Sequence, residues 1–113
     1  MQADEYQKAA GRTLPTDSRK DLLTNMCLGL SGETGEVIYI IKKTIYHGHK
    51  LSKKHLMEEL GDVCWYLTNL ASLTGIDLEQ IFEYNIKKLE KRYPNGFSSE
   101  RSVNRGGWLI WEC

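Results

Sequence analysis

The sequence lacks several features that mark particular classes of protein. Its 113 residues include only two prolines, Pro15 and Pro94, so the long segment between them contains no strong helix breaker. No unbroken apolar run is longer than that of residues 37–41, which is far too short to span a membrane. The first residues lack the basic and apolar blocks of a signal peptide. We therefore expect a cytoplasmic protein with no membrane partner.

Charge and cysteine spacing argue against two further classes. Basic and acidic residues both number 15, so the formal net charge is zero, whereas nucleic-acid-binding proteins normally carry a basic excess. We expect no nucleic-acid partner. The three cysteines contain no CxxC pair, which disfavours a zinc site and a disulfide framework. We expect Cys27 and Cys64 to be buried, reduced thiols and Cys113 to be free.

Helix signals divide the chain into four predicted helices. The first covers about residues 2–11, and the second begins after Ser18 and runs to the turn at 47–49. Ser52 begins a third helix that ends near Gly75, and Asp77 begins a fourth that runs to Tyr93. Residues 97–113 look irregular, although 108–111 could form a short extended arm.

Apolar spacing within these helices predicts how they pack. The second and third helices repeat apolar residues at intervals of three and four, which is typical of amphipathic helices in a bundle. These residues are Leu23, Met26, Leu30, Val37, Ile41 and Ile45, then Leu56, Leu60, Val63, Leu67 and Leu70. The short turn between the two helices makes them antiparallel neighbours. We predict an all-α fold, an antiparallel four-helix bundle-like protomer, with residues 1–113 forming one domain and an irregular tail at about 97–113.

Two pairs of acids occupy unusual positions on these helices. At about 100° per residue, Glu33 and Glu59 fall inside the apolar stripes of the second and third helices. Glu36 and Asp62 follow three residues later, on the margins of those stripes, whereas Glu58 points outward. Residues at i and i+3 are neighbours on a helix surface, so each pair can converge on one point.

Four such carboxylates need a cation. Desolvation and mutual repulsion would raise their pKa values or melt the site unless a cation neutralised them. Oxygen ligands suit hard divalent cations, so we predict that Glu33, Glu36, Glu59 and Asp62 bind Mg²⁺, with Mn²⁺ as a substitute. A di-iron site is disfavoured because no Glu-x-x-His motif is present. The neighbouring Gly32, Gly35 and Gly61 suggest close backbone approach or ligand access, since glycine is unfavourable inside helices.

A basic flank on the fourth helix suggests a second component of the site. Asn85, Lys88 and Arg92 share one side of that helix, beside an apolar stripe that runs from residue 78 to residue 93. An amide, an ammonium and a guanidinium in line form a plausible cradle for a polyphosphate. Lys43, on the Glu36 side of the second helix, is a further candidate for phosphate binding.

Three segments resemble the MazG-like nucleotide pyrophosphohydrolases. They read GLSGETGEV at 29–37, EELGDVCWYL at 58–67 and NIKKLEKRYP at 85–94. The resemblance extends over about residues 6–105. It implies an all-α protein that hydrolyses nucleoside triphosphates to a monophosphate and pyrophosphate using Mg²⁺, as nucleotide house-cleaning. It also implies assembly through helices into a homodimer or homotetramer.

The resemblance assigns roles to individual residues. The four acids match the family's metal ligands, and Asn85, Lys88 and Arg92 match its substrate-phosphate positions. In many members two adjacent glutamates open the first acidic motif, whereas here Ser31 and Gly32 precede Glu33.

The residues leave the general base and two other functions open. Either Glu33 or Glu36 could accept the proton of the attacking water. One alternative is a non-catalytic helical module that oligomerises, regulates, or binds a nucleotide or metal without turnover. The other is a plain helical bundle whose acids only pair with lysine and arginine.

Overall fold

A computed structural model describes residues 1–104 of the chain, and these form five α-helices and no β-strand. The helices are α1 (Ala3–Gly11), α2 (Arg19–Tyr46), α3 (Lys53–Leu73), α4 (Leu78–Arg92) and α5 (Ser99–Val103). The all-α prediction is confirmed. No helix within this range is both long and apolar enough to cross a membrane.

Serine caps begin the two long helices where the sequence predicts. The Ser18 hydroxyl accepts a hydrogen bond from the Asp21 amide at 3.3 Å, and Ser52 accepts one from His55 at 3.2 Å. Each bond satisfies an N–H group that has no partner inside its own helix. The prediction of an irregular tail is wrong in part, because α5 lies within it. The segment 108–111 and Cys113 fall outside the described residues.

Two compact units make up the chain, one formed by residues 1–78 and the other beginning at Glu79. In the first unit α2 packs along α3, and α1 also packs on α3. Arg19 at the start of α2 donates to the Leu73 carbonyl at the end of α3, at 2.6 Å. Further along, the backbone of Gly29 contacts the ring of Tyr66. Residue numbers rise on one helix as they fall on the other, so the pair is antiparallel as predicted.

The core of the first unit lies at one end of this helix pair. Its apolar members are Ala10, Leu22, Met26, Ala71 and Leu78, and Thr68 and Asn69 are buried with them. The Asn69 amide donates to the carbonyls of Ala10 and Trp65, which ties α1 to α3. The side chain of Gln7 on α1 accepts a hydrogen bond from the Leu78 amide at 2.8 Å.

Several side chains predicted to be buried are exposed in the single chain. Ile45 is 65% exposed and Leu60 44% exposed, although both lie on the predicted apolar stripes. Both residues lie away from the buried core end of the helix pair, and within the first unit their side chains face solvent. Cys27 and Cys64 are free thiols, as predicted, but both are exposed, so the prediction of burial is wrong.

The second unit contains most of α4, followed by a turn and α5. Gly96 in the turn has a φ of 90°, a conformation that favours glycine. The turn brings the Tyr93 and Phe97 rings into a tilted contact, with centroids 5.4 Å apart. Ser98 caps α5, and the Arg101 guanidinium donates to the Arg92 carbonyl at 2.5 Å. That bond satisfies a carbonyl at the end of α4.

The close approach at Gly29 predicts opposite effects for two glycine substitutions on α2. A Cβ at Gly29 would overlap the Tyr66 ring, whereas one at Gly32 meets nothing within 4 Å. We expect Gly29→Ala to lower the free energy of unfolding by up to about 2 kcal/mol, because overpacking outweighs the gain in helix propensity. Gly32→Ala should raise it by up to about 1 kcal/mol. Thermal unfolding in EDTA, followed by circular dichroism, measures both, and equal shifts would contradict the contact.

Candidate functional site

The seam between α2 and α3 brings three carboxylates together. Glu33 lies one turn beyond Gly29 on α2, and Asp62 lies one turn before Tyr66 on α3, so antiparallel packing places them at the same level. Glu33, Glu59 and Asp62 each offer a carboxylate oxygen, and these oxygens all lie within 4.8 Å of one another. We call these three residues the carboxylate cluster. Glu33 and Glu59 are half-buried and Asp62 is exposed.

Electrostatics within the carboxylate cluster disfavour full ionisation. A hydrogen bond between the carboxyl groups of Glu33 and Glu59 is the main reason that the pKa of Glu33 is raised. Partial withdrawal from water and the negative charges of Asp62, Glu59 and Glu36 raise this pKa further. The protonated form of Glu33 is therefore favoured in the folded state more than in the unfolded chain. A divalent cation would relieve the same repulsion more effectively.

The donor set fits a hard divalent cation. Mg²⁺ and Mn²⁺ prefer carboxylate oxygens, and Mg²⁺ is commonly held by one or two carboxylates together with substrate phosphates. The carboxylate cluster supplies three carboxylates within reach of one ion. Because Asp62 is exposed, an ion and a phosphate could approach from solvent.

Glu36, the fourth predicted ligand, lies beside the carboxylate cluster but is not one of the three residues whose carboxylate oxygens group together. Its side chain is exposed, and its charge still raises the pKa of Glu33. It also lines a cavity near the end of α2, together with Lys43. The predicted phosphate ligand Lys43 is therefore near Glu36, as the sequence suggests.

The other predicted phosphate ligands belong to the second unit. Asn85 is exposed on α4, and Lys88 and Arg92 are half-buried on the same helix. The Arg92 guanidinium lies 6.0 Å from the centroid of the Tyr93 ring, at the outer limit of a cation–π interaction. The role of these three residues in phosphate binding stays a prediction.

Two residues near the carboxylate cluster are absent from the predicted site. His55 Nε2 lies 3.4 Å from a Glu59 carboxylate oxygen, one helical turn away. The i, i+4 spacing of His55 and Glu59 could have revealed this pair, because such residues meet on a helix surface. Tyr6 on α1 is the second residue, and its pKa is raised by burial and then by the charges of Cys64 and Asp62. Its hydroxyl thus stays protonated near Asp62.

Close backbone approach is found at a different glycine from those predicted. At Gly32, Gly35 and Gly61 an added Cβ would meet nothing within 4 Å, whereas at Gly29 it would meet Tyr66. Gly29 is therefore the glycine that lets the two helices approach. Ligand access beside the acids stays a prediction for the other three.

Comparisons with known proteins found two sequence matches. The family model described as the MazG nucleotide pyrophosphohydrolase domain matches residues 23–97, a range that contains every predicted site residue. The Gene 37 protein of Mycobacterium phage L5 is 31% identical to the chain over 114 residues, which cover 93% of this chain and 100% of that relative. No solved structure gave a significant match.

The raised pKa of Glu33 predicts how stability depends on pH when no metal is bound. The folded state holds this proton more tightly than the unfolded state, whose carboxyl titrates near the ordinary value of 4.5. In EDTA, the contribution of Glu33 to stability should therefore be complete below pH 4.5 and decrease as the pH rises through its folded pKa.

Glu33→Gln should remove this decrease and leave the variant more stable than wild type at pH 7 in EDTA. Glu58→Gln, an exposed acid outside the carboxylate cluster, is the matched control. Urea unfolding at a series of pH values measures the difference. Parallel pH profiles for wild type and Glu33→Gln would contradict the prediction.

Metal binding by the carboxylate cluster predicts stabilisation by Mg²⁺ or Mn²⁺. An ion that binds only the folded state should add about 2.7 kcal/mol when its concentration is 100 times Kd. The melting temperature should therefore rise on adding either ion to wild type and to Glu58→Gln. The double variant Glu59→Gln/Asp62→Asn should lose most of this rise. An equal rise in the double variant would place the ion elsewhere.

Proposed function

The chain belongs to the MazG nucleotide pyrophosphohydrolase family, and on that premise we propose that it hydrolyses nucleoside triphosphates to a nucleoside monophosphate and pyrophosphate. The observation that carries the proposal is the grouping of the Glu33, Glu59 and Asp62 carboxylates within the matched range. Nucleotide house-cleaning is the biological role that we propose for this activity.

We propose that the carboxylate cluster holds Mg²⁺, or Mn²⁺ in its place, with Glu36 as a further ligand or neighbour. The bound ion would offset charge on the triphosphate oxygens and lower the pKa of a nearby water molecule. Water then attacks the α-phosphorus, and the bond from that phosphorus to the oxygen bridging to the β-phosphate breaks. Pyrophosphate leaves with the electron pair of that bond.

Glu36 is our preferred acceptor for the proton that the attacking water loses. It lies outside the tightest carboxylate grouping and is exposed, which leaves it less committed to a metal than Glu33. A general base must reach the water while it remains unprotonated at neutral pH. Glu33, by contrast, belongs to the three-carboxylate grouping, so a bound ion would occupy its carboxylate oxygens.

The remaining components of the proposal concern substrate contacts and assembly. Asn85, Lys88 and Arg92 would bind phosphate oxygens, offsetting charge that develops during the reaction.

We also propose that residues 1–113 act as one domain in the cytoplasm, within a homodimer or homotetramer of bundle-like protomers. The exposure of Ile38, at 61%, and of Met57, at 66%, supports assembly through helix faces.

A pyrophosphate-release assay over canonical and damaged nucleoside triphosphates tests the reaction. We expect equal amounts of monophosphate and pyrophosphate with Mg²⁺ and no release with EDTA. Asp62→Ala and Glu36→Ala should each lower kcat/KM by roughly 100-fold or more, since even second-shell partners of metal ligands contribute about 10- to 100-fold. Their helicity by circular dichroism should match wild type.

Glu58→Gln is the control and should retain wild-type turnover, because Glu58 is exposed and outside the carboxylate cluster. Full activity in both alanine variants would overturn the metal assignment. If the folded wild-type protein released no pyrophosphate from any triphosphate in Mg²⁺, the chain would instead be a non-catalytic binding or regulatory module.

A further inference from the structure

A cavity of about 250 Å³ lies beside the carboxylate cluster, where α2 ends and α3 begins. Glu36 lines the side nearest the carboxylate cluster, and the charged or titratable side chains around the rest are Lys43, His49, Lys50 and His55. We call this cavity the cationic pocket. It lies entirely within the first unit.

Backbone geometry builds the wall of the cationic pocket. Gly48 has a φ of 70°, which turns the chain back on itself after α2. The His49 amide then donates to the Lys43 carbonyl at 3.2 Å. Ser52 caps α3 by accepting from the His55 amide, so the first turn of that helix also borders the cavity. These bonds fix the turn that carries His49 and Lys50 between the end of α2 and the start of α3.

The charge of the cationic pocket favours an anion. Within residues 1–104, neither Lys43 nor Lys50 forms an ion pair with a carboxylate, whereas His55 contacts Glu59. The cavity is thus lined by two ammonium groups and by one carboxylate, that of Glu36. The cavity also borders the start of α3, where the helix dipole is positive.

The position of Lys43 argues against a stacked nucleobase in the cationic pocket. Its Nζ atom lies 4.3 Å from the centroid of the Tyr39 ring, over the ring face. The cation–π interaction holds the ammonium in place and occupies the surface on which a base would stack. The ammonium remains able to donate hydrogen bonds to phosphate oxygens.

The cationic pocket and the carboxylate cluster lie about one helical turn apart along α2 and α3. Glu36 follows Glu33 by three residues, and His55 precedes Glu59 by one turn and contacts it. One turn of helix advances about 5.4 Å, comparable to the span of two linked phosphates. A triphosphate with its α-phosphate at the carboxylate cluster could therefore extend its terminal phosphates into the cavity.

We propose that the cationic pocket binds the pyrophosphate group of the substrate, the β- and γ-phosphates, with Lys43 and Lys50 as its charge partners. This inference rests on the proposed hydrolysis and specifies where its leaving group lies. The two lysines stabilise the negative charge that pyrophosphate gains when the bond to the α-phosphate breaks.

Calorimetric titration with inorganic pyrophosphate in Mg²⁺ tests the proposal. The double variant Lys43→Gln/Lys50→Gln should bind pyrophosphate at least about tenfold more weakly than wild type, because two charge-assisted contacts are lost. Lys42→Gln/Lys54→Gln removes the same charge from exposed neighbours outside the pocket and should bind as wild type does. Binding of a nucleoside monophosphate should be the same in all three proteins.

Three results would overturn the proposal. The first is unchanged pyrophosphate binding in Lys43→Gln/Lys50→Gln. The second is an equal loss of pyrophosphate binding in the control variant. The third is a loss of monophosphate binding in place of pyrophosphate binding, which would place the nucleoside half of the substrate in the cavity. Circular dichroism of each variant checks that it is folded. Failure of the proposed hydrolysis is a separate result, because wild type would then bind pyrophosphate through these lysines yet release none from any triphosphate.

Discussion

The packing of the Tyr66 ring on the backbone of Gly29 is the contact on which the functional geometry depends. It brings α2 close to α3 and selects one antiparallel register. In that register Glu33 and Asp62 lie one turn from the contact, on the same side of it. A shift of one residue along either helix would rotate an acid by about 100° and separate the cluster.

The same register creates a repulsion that the isolated chain relieves only in part. The raised pKa of Glu33 favours its protonated form, and a proton there would reduce the negative charge of the carboxylate cluster. A divalent cation can replace that proton and neutralise more charge. On the proposed metal binding, stability and metal affinity would therefore be linked, because the repulsion that weakens the metal-free fold would favour binding of a cation.

The buried core and the candidate functional groups lie in different parts of the α2–α3 pair. Met26 and Asn69 are fully buried near α1, which anchors one end of α2 and α3. Further along, the helix pair is more exposed: within the first unit Glu33 and Glu59 are half-buried, and Glu36 and Asp62 are exposed. The carboxylate cluster and the cationic pocket occupy this open region, where charged ligands can enter without displacing the core.

The sequence by itself determined the helix starts and the acids that face inward. Ser18 and Ser52 act through hydrogen bonds to residues three positions away, and the stripe containing Glu33 and Glu59 follows from helical periodicity. Both signals are local, and for that reason they can be read without coordinates. The short helix α5 was missed because its five residues show no apolar period.

The tertiary structure alone decided which groups meet across elements. It placed the close approach at Gly29 instead of Gly32, set Glu36 beside the carboxylate cluster, and left Cys27 exposed. The cationic pocket likewise depends on the turn at Gly48, after which Lys50 lines the same cavity as Lys43. Such contacts depend on the register and ends of neighbouring helices, which residue spacing within a single helix does not specify.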